Sequence, residues 1–290
     1  MYEKLDNCPI CNHTQFQNQI ICDDHSVSGE SFALVKCSNC SLVFTNPRPD
    51  EESLPKYYQS DAYISHTDRA NSLINIIYKV VRKITLRKKV HLINKINTQS
   101  GQLLDYGCGT GDFIQTATEN NWQAFGYEPD EKARVIAKSK NGTSVIEKLS
   151  EVNDQVDIIT AWHVIEHVSD LKETIKSLKK KLKEGGHMIL AVPNYQSFDA
   201  QHYQEFWAAY DVPRHLYHFD QVSMKALATQ TKLKLVETIP MLFDSYYVSL
   251  LSEKYKPKGS LLNALRIGQL SNKKAAKTNQ YSSLIYILRK

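Results

Sequence analysis

No run of about 18 apolar residues occurs in this sequence, so no segment has the length and composition of a membrane-spanning helix. The N-terminus lacks a basic stretch followed by an apolar one, the mark of a secretory signal, and a soluble, cytoplasmic protein without membrane insertion is expected. Charge of one sign is not in large excess: 36 Lys and Arg face 31 Asp and Glu, for a formal net charge of +5. That balance permits an anionic partner without requiring one. Internal repeats are absent, which sets aside repeat architectures. Cysteine is sparse, at six of 290 residues, and without an export signal a disulfide framework is not expected. What remains is an ordinary globular composition, 42% hydrophobic, in a chain long enough for one large domain or a domain plus a small module.

Four of the six cysteines form two knuckles, Cys8-x-x-Cys11 and Cys37-x-x-Cys40, separated by twenty-five residues. Each knuckle can present two thiolates to one tetrahedral Zn²⁺, the spacing of a zinc ribbon. The run from Lys36 to Phe44 has the knuckle-then-strand form of such a ribbon. A rival ligand set, Cys8, Cys11, Cys22 and His25, carries less weight; otherwise Cys22 and His25 stay unassigned. With all four positions filled by protein, the zinc is expected to be structural, stapling a segment (residues 1–46) too short to fold well alone.

Residues 47–100 read as a linker and amphipathic helices, opening with the stiff run Asn46-Pro47-Arg48-Pro49-Asp50. From Asn71 to Asn97 apolar residues recur at helical spacing: Leu73, Ile76, Ile77, Val80, Ile84, Ile93 and Ile96. Basic residues interleave them, among them Lys79, Arg82, Lys83, Arg87, Lys88 and Lys89. A helix packed on the core with a solvated basic face explains this pattern; a nucleic-acid or membrane surface is the sharper alternative.

The most informative stretch is Leu103-Leu104-Asp105-Tyr106-Gly107-Cys108-Gly109-Thr110-Gly111-Asp112-Phe113. An apolar run ending in an acid and followed by Gly-x-Gly-x-Gly is how a buried parallel strand hands over to a helix beside a bound nucleoside. The spacing departs by one residue from the dinucleotide fingerprint, and no Gly-Lys-Ser/Thr closes it as in a phosphate loop. A second strand-like stretch, Ala124 to Asp130, places Glu128 seventeen residues beyond Gly111, where an acid typically accepts bonds from ribose hydroxyls. Further on, Val156–Val168 reads as a fourth strand and the helix after it, and Leu182–Pro193 as a Gly-Gly turn and a fifth strand.

In these four landmarks the chain resembles the class I S-adenosylmethionine (SAM)-dependent methyltransferases, and with its knuckles it is most similar to their zinc-ribbon-bearing, ubiquinone-methyltransferase-like branch. The resemblance implies an α/β fold: a Rossmann-like, mostly parallel sheet whose last strand is antiparallel, preceded by a small zinc ribbon. The methyltransferase domain would span residues 101–290. A helix is expected over Asp170–Leu182 with Leu171, Ile175, Leu178 and Leu182 on one face, then helix Gln221–Thr231, strand Leu233–Ile239 and a last strand over Ser282–Leu288. Between them, residues 240–281 read as an insertion, with a helix from Ser245 to Tyr255 and a lysine-rich loop from Asn272 to Gln280.

The resemblance also implies SAM as cofactor, held by Asp105, Gly107, Cys108, Gly109, Gly111, Glu128, Trp162 and His163. Asp105 would hold the ammonium of the methionine end, directly or through water, and turn N–H groups its carboxylate. Methyl transfer is an in-line displacement, and a weak acceptor must also lose a proton. The stretch Trp207–Phe219 carries aromatics, Arg214, His215 and His218 in thirteen residues and reads as an acceptor-binding surface. His215 is the expected base, with His167 and Glu166 as alternatives; in the plainer reading these histidines cap backbone groups. A small-molecule acceptor methylated on oxygen or carbon is expected. The rivals are an RNA base methyltransferase gripping RNA with ribbon and basic helix, and a SAM-binding module without turnover. No Asn-Pro-Pro-Tyr-like motif for a flipped base supports the RNA reading.

Overall fold

A computed structural model describes residues 1–58, 73–152 and 155–290. Its N-terminal part contains strands β1 (Tyr2–Glu3), β2 (Phe16–Asp23), β3 (Ser31–Cys37), β4 (Val43–Thr45) and β5 (Arg48–Pro49). β2, β3 and β4 run antiparallel to their neighbours, and β1 pairs with β5. Asp24 builds the β2–β3 turn by accepting N–H bonds from Ser26, Val27 and Ser28 at 3.0, 3.2 and 2.9 Å.

The next elements are α1 (Leu73–Ile96), β6 (Gln102–Tyr106), α2 (Asp112–Thr118), β7 (Gln123–Tyr127), α3 (Glu131–Asn141), β8 (Val145–Ile146) and β9 (Val156–Trp162). They are followed by α4 (Leu171–Lys181), β10 (Leu182–Pro193), α5 (Phe198–Tyr203), β11 (Tyr217–His218), α6 (Gln221–Gln230) and β12 (Lys234–Pro240). The chain ends in α7 (Asp244–Tyr255), α8 (Leu261–Thr278) and β13 (Ser283–Arg289). Among the described residues the large sheet has the order β12-β13-β10-β9-β6-β7-β8. β10, β9, β6, β7 and β8 are mutually parallel, while β13 lies antiparallel between β10 and β12. This is the expected Rossmann-like sheet with an antiparallel last strand. Its centre is apolar on both faces: Leu103, Leu104, Ile158, Ile159, Ile189 and Leu190 are fully buried. Each such side chain contributes about 1.5–3 kcal/mol relative to exposure.

Helix boundaries follow local chemistry. Asp130, Asp170 and Asp220 cap α3, α4 and α6 by accepting the N–H of Ala133, Glu173 and Ser223 at 2.8, 3.0 and 2.7 Å. α4 buries Leu171, Ile175 and Leu178, as its spacing predicts, and Leu182 opens β10. The helix expected over 71–97 is α1; positions 71 and 72, and the side chains of Leu73, Ile76, Ile77, Lys79 and Val80, lie outside the described residues. Farther along, Val90 and Ile93 are buried, whereas Ile84 is exposed rather than on the core face. Among the described residues no helix is long and apolar enough to cross a membrane.

Two local expectations need correction. Glu166 and His167 do not lie on a helix after β9: residues 163–170 form a turn, because His163 adopts a left-handed φ of 58° that ends the strand. Nor is Asn272–Gln280 a loop, since α8 runs to Thr278. Its buried face is Ala264, Ile267, Gly268, Ser271 and Ala275, a helical stripe of mostly small residues that a search for large apolar side chains passes over.

The N-terminal part and the large domain share a sheet. β11 pairs antiparallel with β4, Tyr217 opposite Phe44 and His218 opposite Val43. Thr45 adds two bonds, its N–H to Leu216 O and its Oγ1 to His215 O, both at 3.1 Å. Buried Arg48 donates to Tyr217 Oη at 2.9 Å and to Ser169 O at 3.0 Å.

Candidate active site

The glycine turn follows β6, with φ of 75° at Gly107, 55° at Gly109 and 79° at Gly111. A Cβ at Gly107 would lie 2.6 Å from Val164 Cγ2, and one at Gly111 would meet Asn141 Nδ2 and, at 3.1 Å, Ala137. At Gly109 a Cβ would meet nothing within 4 Å among the described residues. Its N–H donates to Glu128 Oε2 at 2.7 Å, and the Asp130 N–H donates to Oε1 at 2.9 Å. Glu128 is thereby held rigidly at the end of β7; burial raises its pKa, and the two N–H bonds oppose that shift.

Asp105 is 2% exposed and accepts a 2.6 Å bond from Thr160 Oγ1. Burial pushes its carboxyl up to about 7, against the Thr160 bond and the charge of Lys89. Burial likewise pushes the Cys108 thiol above its ordinary range. Lys89, from α1, places its ammonium 4.3 Å from the centre of the Trp162 ring and 5.8 Å from that of Phe113. Burial lowers its pKa to about 8, with Asp105 and Asp244 opposing. Among the described residues the buried Trp162 indole N–H has no hydrogen-bond partner, and its ring meets Phe113 edge-on at 5.6 Å. The sequence reading put Lys89 on the solvated face of its helix. The signal it passed over is the i, i+4, i+7 spacing of Lys89, Ile93 and Ile96, which aligns the lysine with the buried stripe.

His163 bridges two acids, with Nε2 3.1 Å from Asp244 Oδ2 and Nδ1 3.4 Å from Glu166 Oε1. Burial opposes its charge, but Asp244 and then Glu166 raise its pKa to about 10. Helix α7 therefore reaches the end of β9 through Asp244.

Glu166, His167 and His215 come together, each offering a ligand atom within 4.8 Å of the others. The His167 and His215 rings meet edge-on with centroids 4.5 Å apart. His167 Nδ1 lies 3.0 Å from Arg214 O and 3.1 Å from Tyr58 Oη; His215 Nδ1 lies 2.9 Å from Ala209 O. Both histidines thus bond backbone carbonyls, as the plainer reading of this stretch expects. Burial, then the charge of His215, lowers the His167 pKa to about 4. The turn carrying Glu166 is tied to the stretch carrying His215 by bonds from Leu216 N–H and Tyr217 N–H to Glu166 O, at 2.7 and 3.3 Å.

The aromatics around His215 are core rather than open walls. Trp207, Tyr210, Tyr217 and Phe219 are buried, and Trp207 Nε1 donates to Asp199 Oδ2 at 2.8 Å. Arg214 pairs with Asp211 at 2.5 Å and with Asp24 of the β2–β3 turn at 3.4 Å.

The four knuckle cysteines also converge. Cys8 and Cys40 Sγ are 3.5 Å apart, Cys11 and Cys37 Sγ 3.6 Å, and all four sulfurs lie within 4.8 Å. The knuckles are built alike: Asn12 N–H donates to Cys8 O at 3.0 Å and Ser41 N–H to Cys37 O at 3.1 Å, with φ of 60° and 63° at Asn12 and Ser41. The rival pair is elsewhere: Cys22 is buried in a separate apolar cluster, and His25 stacks on Tyr255 at 4.6 Å.

Residues 80–238, more than half of the chain, match the family described as the methyltransferase domain, and the chain belongs to that family. It is 30% identical over 129 residues to a ubiquinone biosynthesis O-methyltransferase of Vibrio cholerae, a match covering 40% of this chain and 52% of that protein. An uncharacterized methyltransferase of Anoxybacillus flavithermus is 29% identical over 108 residues, 34% of this chain and 51% of its own. The chain thus spans about half the length of the curated relatives it matches. Among solved structures, magnesium protoporphyrin IX methyltransferase from Synechocystis PCC 6803 with bound SAH superposes with a TM-score of 0.54 at 13% identity, covering 83% of this chain and 100% of that one. The fold is that of the class I SAM-dependent methyltransferases.

Proposed function

We propose that the chain is a SAM-dependent methyltransferase acting on a small-molecule acceptor. The observation that carries this reading is the cation-accepting box at the carboxyl end of the sheet. The Lys89 ammonium lies against Trp162 and Phe113 and within the fields of Asp105 and Asp244, next to a glycine turn that is open at Gly109 among the described residues. Aromatic faces and a buried carboxylate suit the ammonium and sulfonium of SAM. Glu128, fixed by two N–H groups, would accept the ribose hydroxyls. Gly107, Cys108, Gly111 and His163 complete the wall of the site.

The transfer is a displacement in line with the C–S bond. The acceptor atom bonds to the methyl carbon, the C–S electron pair returns to sulfur, and the acceptor proton leaves for a base. His215 is assigned as that base, with His167 and Glu166 beside it. The knuckle thiols form a donor set suited to one structural Zn²⁺ held by Cys8, Cys11, Cys37 and Cys40, with no position left for substrate. In this reading residues 1–46 are the ribbon, 47–100 the connecting segment and 101–290 the catalytic domain.

Calorimetric titration with SAM tests the assignment. The wild type is expected to bind one SAM per chain, and folded Glu128→Ala to bind at least tenfold more weakly. Absence of SAM binding by the wild type would overturn the reading.

A further inference from the structure

Helix α1 reaches toward the cofactor side of the sheet with three basic side chains. Arg82 pairs with Asp112, the first residue of α2, and lies 3.4 Å from Thr110 Oγ1 of the glycine turn. Lys88 stands with its ammonium 4.8 Å from the centre of the Phe243 ring. Arg82 and Lys88 are exposed, whereas Lys89 is half-buried and points into the box formed by Trp162 and Phe113.

That box receives the lysine poorly. The acids whose fields reach Lys89 are engaged elsewhere: Asp105 accepts from Thr160 Oγ1 at 2.6 Å, and Asp244 lies 3.1 Å from His163 Nε2. Among the described residues the Lys89 ammonium has aromatic faces and remote charges around it, but no hydrogen-bond acceptor and no ion-pair partner. An ammonium carries three N–H donors, and leaving them unsatisfied away from water is costly. Burial, with the like charge of Arg82, accordingly lowers its pKa to about 8 against the pull of Asp105 and Asp244. A sulfonium is a cation with no hydrogen-bond donor, so aromatic faces and carboxylate fields suit it better than they suit a lysine. The buried Trp162 indole N–H, without a described partner, is in turn a donor that an oxygen of the same ligand would satisfy.

We infer that Lys89 is a built-in placeholder: in the cofactor-free protein its ammonium holds the position of the SAM cation, and SAM binds by driving it out into solvent. This assignment of an autoinhibitory contact rests on SAM being the ligand of the box. Two like charges repel strongly at the few ångströms such a box allows. Val90 and Ile93 are buried and keep α1 in place, while the flexible four-carbon stem of Lys89 lets its head swing out to water. After transfer the C–S electron pair returns to sulfur and the cofactor is no longer a sulfonium. The ammonium can then re-enter the box as the thioether product leaves.

The test is calorimetric titration of the full-length protein with SAM and, separately, with its demethylated thioether product. Lys89→Met is expected to bind both about tenfold more tightly, as for a site freed from an occupant that blocks it about nine-tenths of the time. Lys83→Met, which removes an exposed charge from the same helix, is expected to bind as the wild type does. A second readout needs no variant: acetic anhydride labelling of the wild type, read residue by residue by mass spectrometry. SAM is expected to raise acetylation of Lys89 at least threefold and to leave Lys83 unchanged. Unchanged or weaker binding by folded Lys89→Met, or shielding of Lys89 by SAM, would overturn the placeholder. A lysine that gripped the cofactor carboxylate would give both of those results. Failure of the wild type to bind SAM would overturn the cofactor reading as well, whereas SAM binding with either result removes the placeholder alone.

Discussion

Asp105 and the glycines after it show how single residues divide the work of the cofactor site. Burial raises the Asp105 pKa to about 7, against the Thr160 bond and the charge of Lys89. A carboxyl whose pKa is raised on folding contributes stability fully below its unfolded value of about 4. That contribution is lost as pH climbs through about 7. Cofactor-free protein should therefore lose roughly 2–4 kcal/mol from this residue between those limits. In urea unfolding as a function of pH, Asp105→Asn should flatten that part of the profile. SAM should do the same by supplying a cation, and an unchanged slope in the variant would disprove the assignment. The glycines separate by sterics. Gly109→Ala carries only the left-handed backbone penalty of about 1–2 kcal/mol. Gly107→Ala adds a collision with Val164, and overpacking of that kind costs about 1–3 kcal/mol more. Urea midpoints should rank wild type, Gly109→Ala, Gly107→Ala in falling order.

Among elements, α8 packs through small side chains. A Cβ at Gly268 would lie 2.8 Å from Tyr246 Cδ1 and 2.9 Å from its Cα, so α8 and α7 touch nearly backbone to backbone. Gly268→Leu should therefore lower stability by about 1–3 kcal/mol or more, read as a fall in melting temperature. Leu262→Ala, at an exposed position of the same helix, should change it little. α8 also supplies Ser271, which donates to the buried Asp199 carboxylate at 2.6 Å, as does Ser282 before β13. Such contacts explain why the lysines at Lys273, Lys274 and Lys277 mislead: they mark the outer face of a packed helix, and only tertiary contact distinguishes that from a polar loop. The turn after β9 is the converse case. Its residues have helical spacing, but a left-handed His163 and long-range bonds to Glu166 O outweigh it.

For the whole molecule, the decisive feature is that β4 and β11 belong to one sheet. The knuckles hold the strands against which the His215 stretch is laid, so loss of the Zn²⁺ proposed for the four cysteines should be felt there before it is felt at the glycine turn. Hydrogen exchange after Cys37→Ser should quicken over residues 43–45 and 214–218 and leave 103–113 protected. Uniform quickening of all three would show instead that the ribbon supports the entire fold. The strand-glycine turn, the helices over 170–182 and 221–231 and the two cysteine knuckles were legible in the residues themselves. Each rests on periodicity or spacing within a few dozen positions, where backbone geometry and side-chain type leave few alternatives. The Lys89 contact with Trp162, the Glu166–His167–His215 cluster and the β4–β11 pairing each join segments separated by dozens to more than 150 residues. No local pattern encodes such contacts; they arise when the apolar faces of sheet and helices are buried together, and only the tertiary structure decides which side chains then meet.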